Sequence, residues 1–403
     1  MATVGVYLEA CKVGHLEKGD FKHVFGYDSN AVEALSLSMP LRTESYSSQA
    51  LHPLFQMNLP EGFLRQAIER MTLKQYGSDD LTMLALLGPN QIGRIGYALS
   101  GKPPLDPSAD CPELSALLGS HDSLLFEQLF QHYSFRSGVA GVQPKVLMDL
   151  SDDASTDLGS RATQTLQPFI VKSWGSDYPQ LACNEFIGLS LARYAGLDVA
   201  NFYLSDNGKL LVSQRFDLAV GGEPLGFEDF CVLQGKGTRE KYDASLESCT
   251  HTIRNFVSAE LLRPALYDFF KLTLVNTLLQ NGDAHLKNSG IIYSDLKDYR
   301  LGMQPRCDRK LAPIFDIVNT TAYLAQDTMA LTLAGSKRWP KWKALNKFAR
   351  QHCGLNGKDI DRALSEVAAA SVLVQPLLQQ LTCQHEEFAA IAEHISELIK
   401  QPF

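Results

Sequence analysis

The segment that most restricts this chain runs from Phe269 to Tyr293. Phe269 to Leu279 is an apolar run with the texture of a buried helix, and Gly290 to Tyr293 is a short strand-like run. Between them lies Gln280-Asn281-Gly282-Asp283-Ala284-His285-Leu286-Lys287-Asn288. A helix and a strand joined by this loop place a carboxylate, an imidazole, an ammonium and an amide in one connection. The Asp283 carboxylate can accept a hydrogen bond from an attacking hydroxyl. Asn288, five residues on, can reach round to a magnesium ion bridging phosphates. The same residues also suit an ordinary Asn-Gly-Asp turn with an N-cap.

A second carboxylate bears on that choice. Leu311-Ala312-Pro313-Ile314-Phe315-Asp316 sets Asp316 after an apolar run, 33 residues past Asp283. Hard magnesium takes oxygen ligands from few carboxylates plus phosphate, so Asp316 reads as a metal ligand, with a helix N-cap as the plain alternative. Ser137-Gly138-Val139-Ala140-Gly141-Val142-Gln143-Pro144-Lys145 lets backbone N–H groups approach phosphates, although it matches neither a Walker A loop nor G-x-G-x-x-G. Alone it could equally be a flexible hairpin. Phe169-Ile170-Val171-Lys172 ends an apolar strand on an ammonium suited to nucleotide phosphates. Glu185 shares a helical face with Leu189 and Ala192, where a lone charge is costly, and Lys172 is its candidate partner.

Composition narrows the classes. The 403 residues carry 37 Lys+Arg against 45 Asp+Glu, a net charge of -8, and 45% are hydrophobic. That length suggests about two to three domains with cores of their own. The acidic balance argues against holding nucleic acid mainly through the chain's own field, while leaving room for a local basic patch. No two of the eight cysteines form Cys-x-x-Cys, which removes zinc-ribbon and thioredoxin-like readings. They read as small buried hydrophobes in a reducing cytoplasm. No basic flank precedes an apolar run at the start, so no signal peptide is expected. Val367 to His385 is uncharged but carries Gln375, Pro376, Gln379 and Gln380, which suits a core helix pair better than a membrane span.

The chain divides by texture. Val4 to Leu8 and Leu37 to Leu41 look like strands, Pro60-Glu61-Gly62 opens an amphipathic helix, and Asp79-Asp80 caps a helix stopped by Gly88. Four prolines between 101 and 112 mark a linker. Val142 to Leu150 and Pro168 to Lys172 are strands flanking a polar loop, Ser151 to Gln167. Leu181 to Ala195 is a helix closed by Gly196, and a hairpin turns at Asn207-Gly208. From about Phe227 helices dominate. The expected fold class is α+β: a strand-rich lobe then a helical lobe, the bilobal protein-kinase-like layout, with an N-terminal α/β subdomain. The expected segments are 1–100 for that subdomain, 101–115 for the linker, 116–222 for the strand-rich lobe and 223–403 for the helical lobe.

These features together resemble HipA-type serine/threonine kinases, the toxins of bacterial toxin–antitoxin modules. The resemblance rests on Asn58 to Gly62, Ala140 to Gln143 with Lys145, Val171-Lys172, Asn184-Glu185, Gln214 to Asp217, Glu228 to Cys231, Lys241-Tyr242, Gly282 to Asn288 and Pro313 to Asp316. It implies ATP and Mg2+ as cofactors. Asp283 matches the catalytic Asp, Asn288 and Asp316 the magnesium ligands, and Lys172 the ATP-binding Lys. Gln214, Arg215 and Phe216 match the adenine-holding hinge, with Gln214 replacing a common Glu. Gly138 to Lys145 would cover the phosphates, Glu185, His285 and Lys287 would lie in the ATP site, and His285 would serve a structural or positioning role. The family's autophosphorylated Ser falls on Gly138 here, so Ser137 is the nearest candidate. The implied partners are a protein substrate, of the kind aminoacyl-tRNA synthetases provide for known members, and a HipB-like antitoxin that would make most DNA contacts, with no membrane. A kinase-shaped co-repressor and a small-molecule phosphotransferase of the aminoglycoside-kinase type are the rival readings.

Overall fold

The computed structural model describes residues 3–72, 79–88, 91–99, 112–120, 122, 124–133, 143–151, 166–175 and 177–400. The chain forms two compact units. The first contains Met1–Ser173, Phe202–Glu228 and Tyr293–Cys307; the second contains Trp174–Asn201, Asp229–Ile292 and Asp308–Phe403.

The first unit holds two antiparallel sheets. In one, the strands run in the order Tyr46–Ser48, His23–Tyr27, Cys11–Lys18, Thr3–Leu8, Ile95–Leu99. Val4 and Val6 are fully buried on it, as alternation predicts for a sheet with one covered face. The helix Gly62–Thr72 begins where Pro60-Glu61-Gly62 places it. Asp79 caps the helix Asp80–Leu87 by accepting from Leu81 N–H and Thr82 N–H, and Gly88 ends it with φ of 57°. The expected strand at Leu37 to Leu41 is not formed. Ser36 and Met39 instead close a tight turn through an isolated bridge. The buried Glu228 carboxylate accepts from Leu37 N–H at 2.6 Å and from the Ser36 and Ser38 hydroxyls at 3.0 and 3.1 Å. Tyr293 adds its hydroxyl to the same carboxylate at 2.7 Å. Four donors converging on one buried carboxyl group hold the turn.

The second sheet is ordered Lys145–Ser151, Leu166–Ser173, Leu210–Gln214, Phe202–Leu204. Its hairpin turns at Asn207-Gly208, where the Asn207 side chain accepts from Lys209 N–H and Gly208 takes φ of 67°. The linker prolines up to Pro107 and most of the polar tract after Ser151 lie outside the described residues.

The second unit is mainly helical. Leu181–Tyr194 ends in a Schellman motif: Gly196 N–H donates to Arg193 C=O and Leu197 N–H to Ala192 C=O, with Gly196 at φ of 72°. Leu262–Leu278 is buried over most of its circumference and forms the axis of the unit's core. The strands Gly290–Tyr293 and Arg309–Leu311 lie side by side. Val367 to His385 is a helix pair, from Gly357–Leu373 into Gln375–Gln384, separated where Pro376 enters the second helix. No helix among the described residues is long and apolar enough to cross a membrane. The expectation of uniformly buried cysteines needs correcting. Cys183, Cys231, Cys249 and Cys353 are buried, but Cys11 and Cys383 are exposed because each sits at a solvent-facing position of its element. No disulfide joins the described cysteines.

Candidate active site

Local hydrogen bonds shape the loop after Leu262–Leu278. Gln280 takes a left-handed φ of 49°, which turns the chain out of the helix. Asn281, 2% exposed, then staples the turn: its amide donates to Asn276 Oδ1 at 2.9 Å and its own Oδ1 accepts from Asp283 N–H at 3.2 Å. Thr320 crosses the loop, accepting from Gly282 N–H at 2.8 Å and donating to Gln280 C=O at 3.1 Å. A Cβ on Gly282 would collide with the Asp327 carboxylate and crowd Thr320 Oγ1, so only glycine fits there. Thr320 and Asp327 escape sequence reasoning, since nothing in their spacing distinguishes them from turn residues.

The staple leaves the Asp283 side chain 56% exposed. The short turn Leu286–Asn288 follows, anchored by Leu286 N–H donating to Lys241 C=O at 3.1 Å. Asn288 donates its Nδ2 to Asp283 C=O at 3.1 Å, which turns its amide oxygen away from the loop backbone. Lys287 points inward, with its ammonium 3.8 Å from the buried Asp229 carboxylate. Asp229 also accepts from Val232 N–H at 2.8 Å, capping the helix Phe230–Leu233. Tyr242 donates its hydroxyl to Asp283 Oδ1 at 2.6 Å and meets the His285 ring edge-on at 5.1 Å.

His285 is buried, and its Nδ1 has no hydrogen-bond partner among the described residues. Burial, with the Lys241 charge second, pushes its imidazole down to about 3. An unfolded chain protonates this histidine below about pH 6.5, whereas the folded chain resists protonation down to about 3. Its contribution to stability is therefore complete above pH 6.5 and is lost on acidification through that window, at up to about 1.4 kcal/mol per pH unit. In His285→Phe the stability difference between pH 7 and 5.5, measured by urea unfolding, should shrink by about 1–1.5 kcal/mol.

Asp316 has a left-handed φ of 56° and caps no helix. The helix Leu181–Tyr194 lies directly against the segment that follows it. A Cβ on Gly188 would collide with the Ile317 carbonyl, and Asn184 pairs with the Asn319 backbone both ways, at 2.9 Å each. Asn319, fully buried, also donates to Leu279 C=O at 2.6 Å and accepts from Ala322 N–H at 2.9 Å. Glu185, the neighbour of Asn184, is 1% exposed. Asn288, Asp316, His285 and Asn281 line a common cavity of about 50 Å³, walled by Phe269 and Leu272. Magnesium requires hard oxygen donors with vacancies left for phosphate and water. An amide oxygen and a carboxylate on one cavity match that donor chemistry.

In the first unit, Lys145 and Lys172 sit directly opposite each other on neighbouring strands, and both are 4% exposed. Gln143 donates its amide to Ser173 C=O at 3.0 Å. Gln214 ends its strand opposite Phe169. Arg215 donates its backbone N–H to Pro168 C=O at 3.0 Å and pairs its guanidinium with the buried Asp217 at 2.6 Å. Asp217 in turn accepts from Gly93 N–H at 2.6 Å. The Phe216 ring packs edge-on against Phe227 at 5.2 Å. Ser137, Gly138, Val139, Ala140, Gly141 and Val142 lie outside the described residues.

The geometry can be set beside known proteins. Shewanella oneidensis "Serine/threonine-protein kinase toxin HipA" is 30% identical over 47% of this chain and 44% of that one. Sinorhizobium fredii Y4dM, named as a kinase, is 27% identical over 79% of this chain and 74% of its own length. A solved complex of Shewanella oneidensis HipA, HipB and operator DNA contains a chain that superposes with a TM-score of 0.67 at 18% identity, covering 98% of this chain and 95% of that one. That likeness shows the fold, α+β and protein-kinase-like. Residues 4–98 match the HipA N-terminal domain. Residues 137–374 match the HipA-like C-terminal domain, and the chain belongs to that family.

Proposed function

We propose that the chain is an ATP- and magnesium-dependent protein kinase that phosphorylates a serine or threonine hydroxyl and acts as a growth-inhibiting toxin beside a HipB-like antitoxin. The observation that carries this reading is the stapled loop: an exposed Asp283 carboxylate, with Asn288 bound back to its carbonyl and facing the cavity that Asp316 lines. Asp283 accepts the hydrogen bond of the attacking hydroxyl and takes its proton as the new oxygen–phosphorus bond forms and the bond from the γ-phosphorus to ADP breaks, with ADP as the leaving group. Asn288, through its amide oxygen, and Asp316, through its carboxylate, would hold magnesium. When bound, that ion offsets the charge of the phosphates. Lys172 and Lys145 are read as phosphate-binding ammonium groups, because directly opposite positions on an antiparallel strand pair put both side chains on one face of the sheet. Gln214, Arg215 and Phe216 are read as the adenine-side hinge, with backbone rather than the Arg215 guanidinium facing the base. Incubating the purified chain with ATP and magnesium and mapping phosphopeptides tests the reading. Phosphate transfer, with Ser137 as the first site to inspect, is the expected result, and no transfer to any hydroxyl would remove it.

The partner reading has its own support. No Asp or Glu occurs between Asp327 and Asp359, while Lys337, Arg338, Lys341, Lys343, Lys347 and Arg350 do. On the helix Trp342–Gln351, Lys343, Lys347 and Arg350 fall on one exposed face opposite buried Leu345, Phe348 and Ala349. This is a local basic stripe on an acidic chain, suited to a few phosphate contacts beside an antitoxin that supplies the rest. Lys343→Glu with Lys347→Glu should weaken operator binding by the toxin–antitoxin complex and lower the salt slope by about two, with antitoxin alone unaffected. Mobility-shift titrations at several salt concentrations measure both.

A further inference from the structure

We propose that Tyr242 is a positioning residue for the phosphoryl-transfer step, acting through Asp283. This rests on the reading of Asp283 as the base. The phenol donates to Asp283 Oδ1 at 2.6 Å, a short bond of the charge-assisted kind. With that oxygen engaged, the carboxylate cannot rotate without breaking the bond, so the direction from which it accepts a proton is set. The Asp283 side chain is more than half exposed, so packing alone does not fix its rotamer.

Tyr242 is itself held on three sides. Its own carbonyl accepts from the Lys337 ammonium at 3.3 Å. The carbonyl of the preceding residue, Lys241, accepts from Leu286 N–H at 3.1 Å, which ties the Tyr242 segment to the far side of the same loop. The ring stands edge-on to His285, which is buried. His285 Nε2 lies 4.0 Å from the same Asp283 Oδ1 and so contributes distance and direction, not a second hydrogen bond. The tyrosine therefore transmits the rigidity of the loop's buried side to the carboxylate on its exposed side. Such supporting hydrogen bonds typically alter activity by tenfold to a hundredfold.

The opposite account is that the phenol occupies the acceptor position and must leave before substrate binds. The two differ in sign. ADP release from magnesium-ATP, with water or the chain's own hydroxyls as acceptor, should fall about tenfold to a hundredfold in kcat in Tyr242→Phe. The KM for ATP should stay within about twofold, because a positioning bond acts on the chemical step rather than on ground-state binding. In an Asp283→Asn background the same tyrosine change should add almost nothing, since its effect passes through the carboxylate. The Phe variant keeps the ring contact with His285, and an unchanged melting temperature would separate positioning from folding. Faster ADP release in Tyr242→Phe, or a full loss repeated in the Asp283→Asn background, overturns the proposal. If Asp283→Asn itself turns over at the parental rate, the base assignment fails and the tyrosine proposal falls with it. If Asp283→Asn is inactive and Tyr242→Phe runs at full rate, only the tyrosine proposal falls.

Discussion

Asp283→Asn is expected to abolish growth arrest on induced expression while leaving the chain folded. The substitution keeps the shape of the side chain and an oxygen able to accept from the Tyr242 hydroxyl. It removes the charge and the basicity that a proton acceptor needs. Loss of a positioned general base costs about a hundredfold to ten-thousandfold in rate, or about 3–5 kcal/mol of barrier. Stability should change by less than about 1 kcal/mol, because the side chain is largely exposed and the backbone carbonyl that Asn288 uses is untouched. Colony counts, ADP release and thermal unfolding on the same preparations separate the two effects. Arrest that survives at full strength in this variant would mean inhibition by binding, and the co-repressor account would replace the kinase account.

The largest expected loss of stability is at Glu228→Ala. Glu228 is fully buried and accepts from Ser36, Leu37, Ser38 and Tyr293. Burial pushes its carboxyl upward from the ordinary range, and those donors partly offset the shift. Alanine would leave a backbone N–H and three hydroxyls facing a void. Unsatisfied buried donors cost about 1–3 kcal/mol each, relieved in part where hydroxyls find other acceptors or water enters. The net expectation is about 3–5 kcal/mol, or about 10 °C in melting temperature. Glu228→Gln, which keeps an acceptor oxygen, should lose less than half of that. Denaturant unfolding of both variants checks the ranking, and an Ala variant as stable as the parent would contradict the hydrogen-bond account.

These two residues also mark how far the sequence could be read. The loop around Asp283 was legible because its parts are local: an apolar helix, a polar connection and a strand follow one another within a short stretch. Caps at Asp79 and Gly196 and the hairpin at Asn207-Gly208 were legible for the same reason. Glu228 was not, because its partners Ser36 and Leu37 lie 192 and 191 residues away. The strand expected at Leu37 to Leu41 failed on that account: its apolar texture suits a strand, and a distant carboxylate makes it a turn. Asn184 and Asn319, 135 residues apart, hold the Asp316 segment by a pairing that no spacing rule announces. Lys241-Tyr242 carries part of the resemblance, yet the bond from Tyr242 to Asp283 spans 41 residues. The strand Cys11–Lys18 was missed because its hairpin turns at Glu9, held at φ of 52°, without an Asn-Gly or Asp-Gly signal.

The uneven cysteine burial has a practical consequence. Burial pushes the thiols of Cys183, Cys231, Cys249 and Cys353 up to about 12, so at neutral pH they hold too little thiolate to react with maleimides. Cys11 belongs to the first compact unit and Cys383 to the second, and both are exposed. Nature has thus left an attachment point for a fluorophore on each unit. A fluorophore placed at either point would report on its own unit, once Cys307 and Cys111 are replaced by serine.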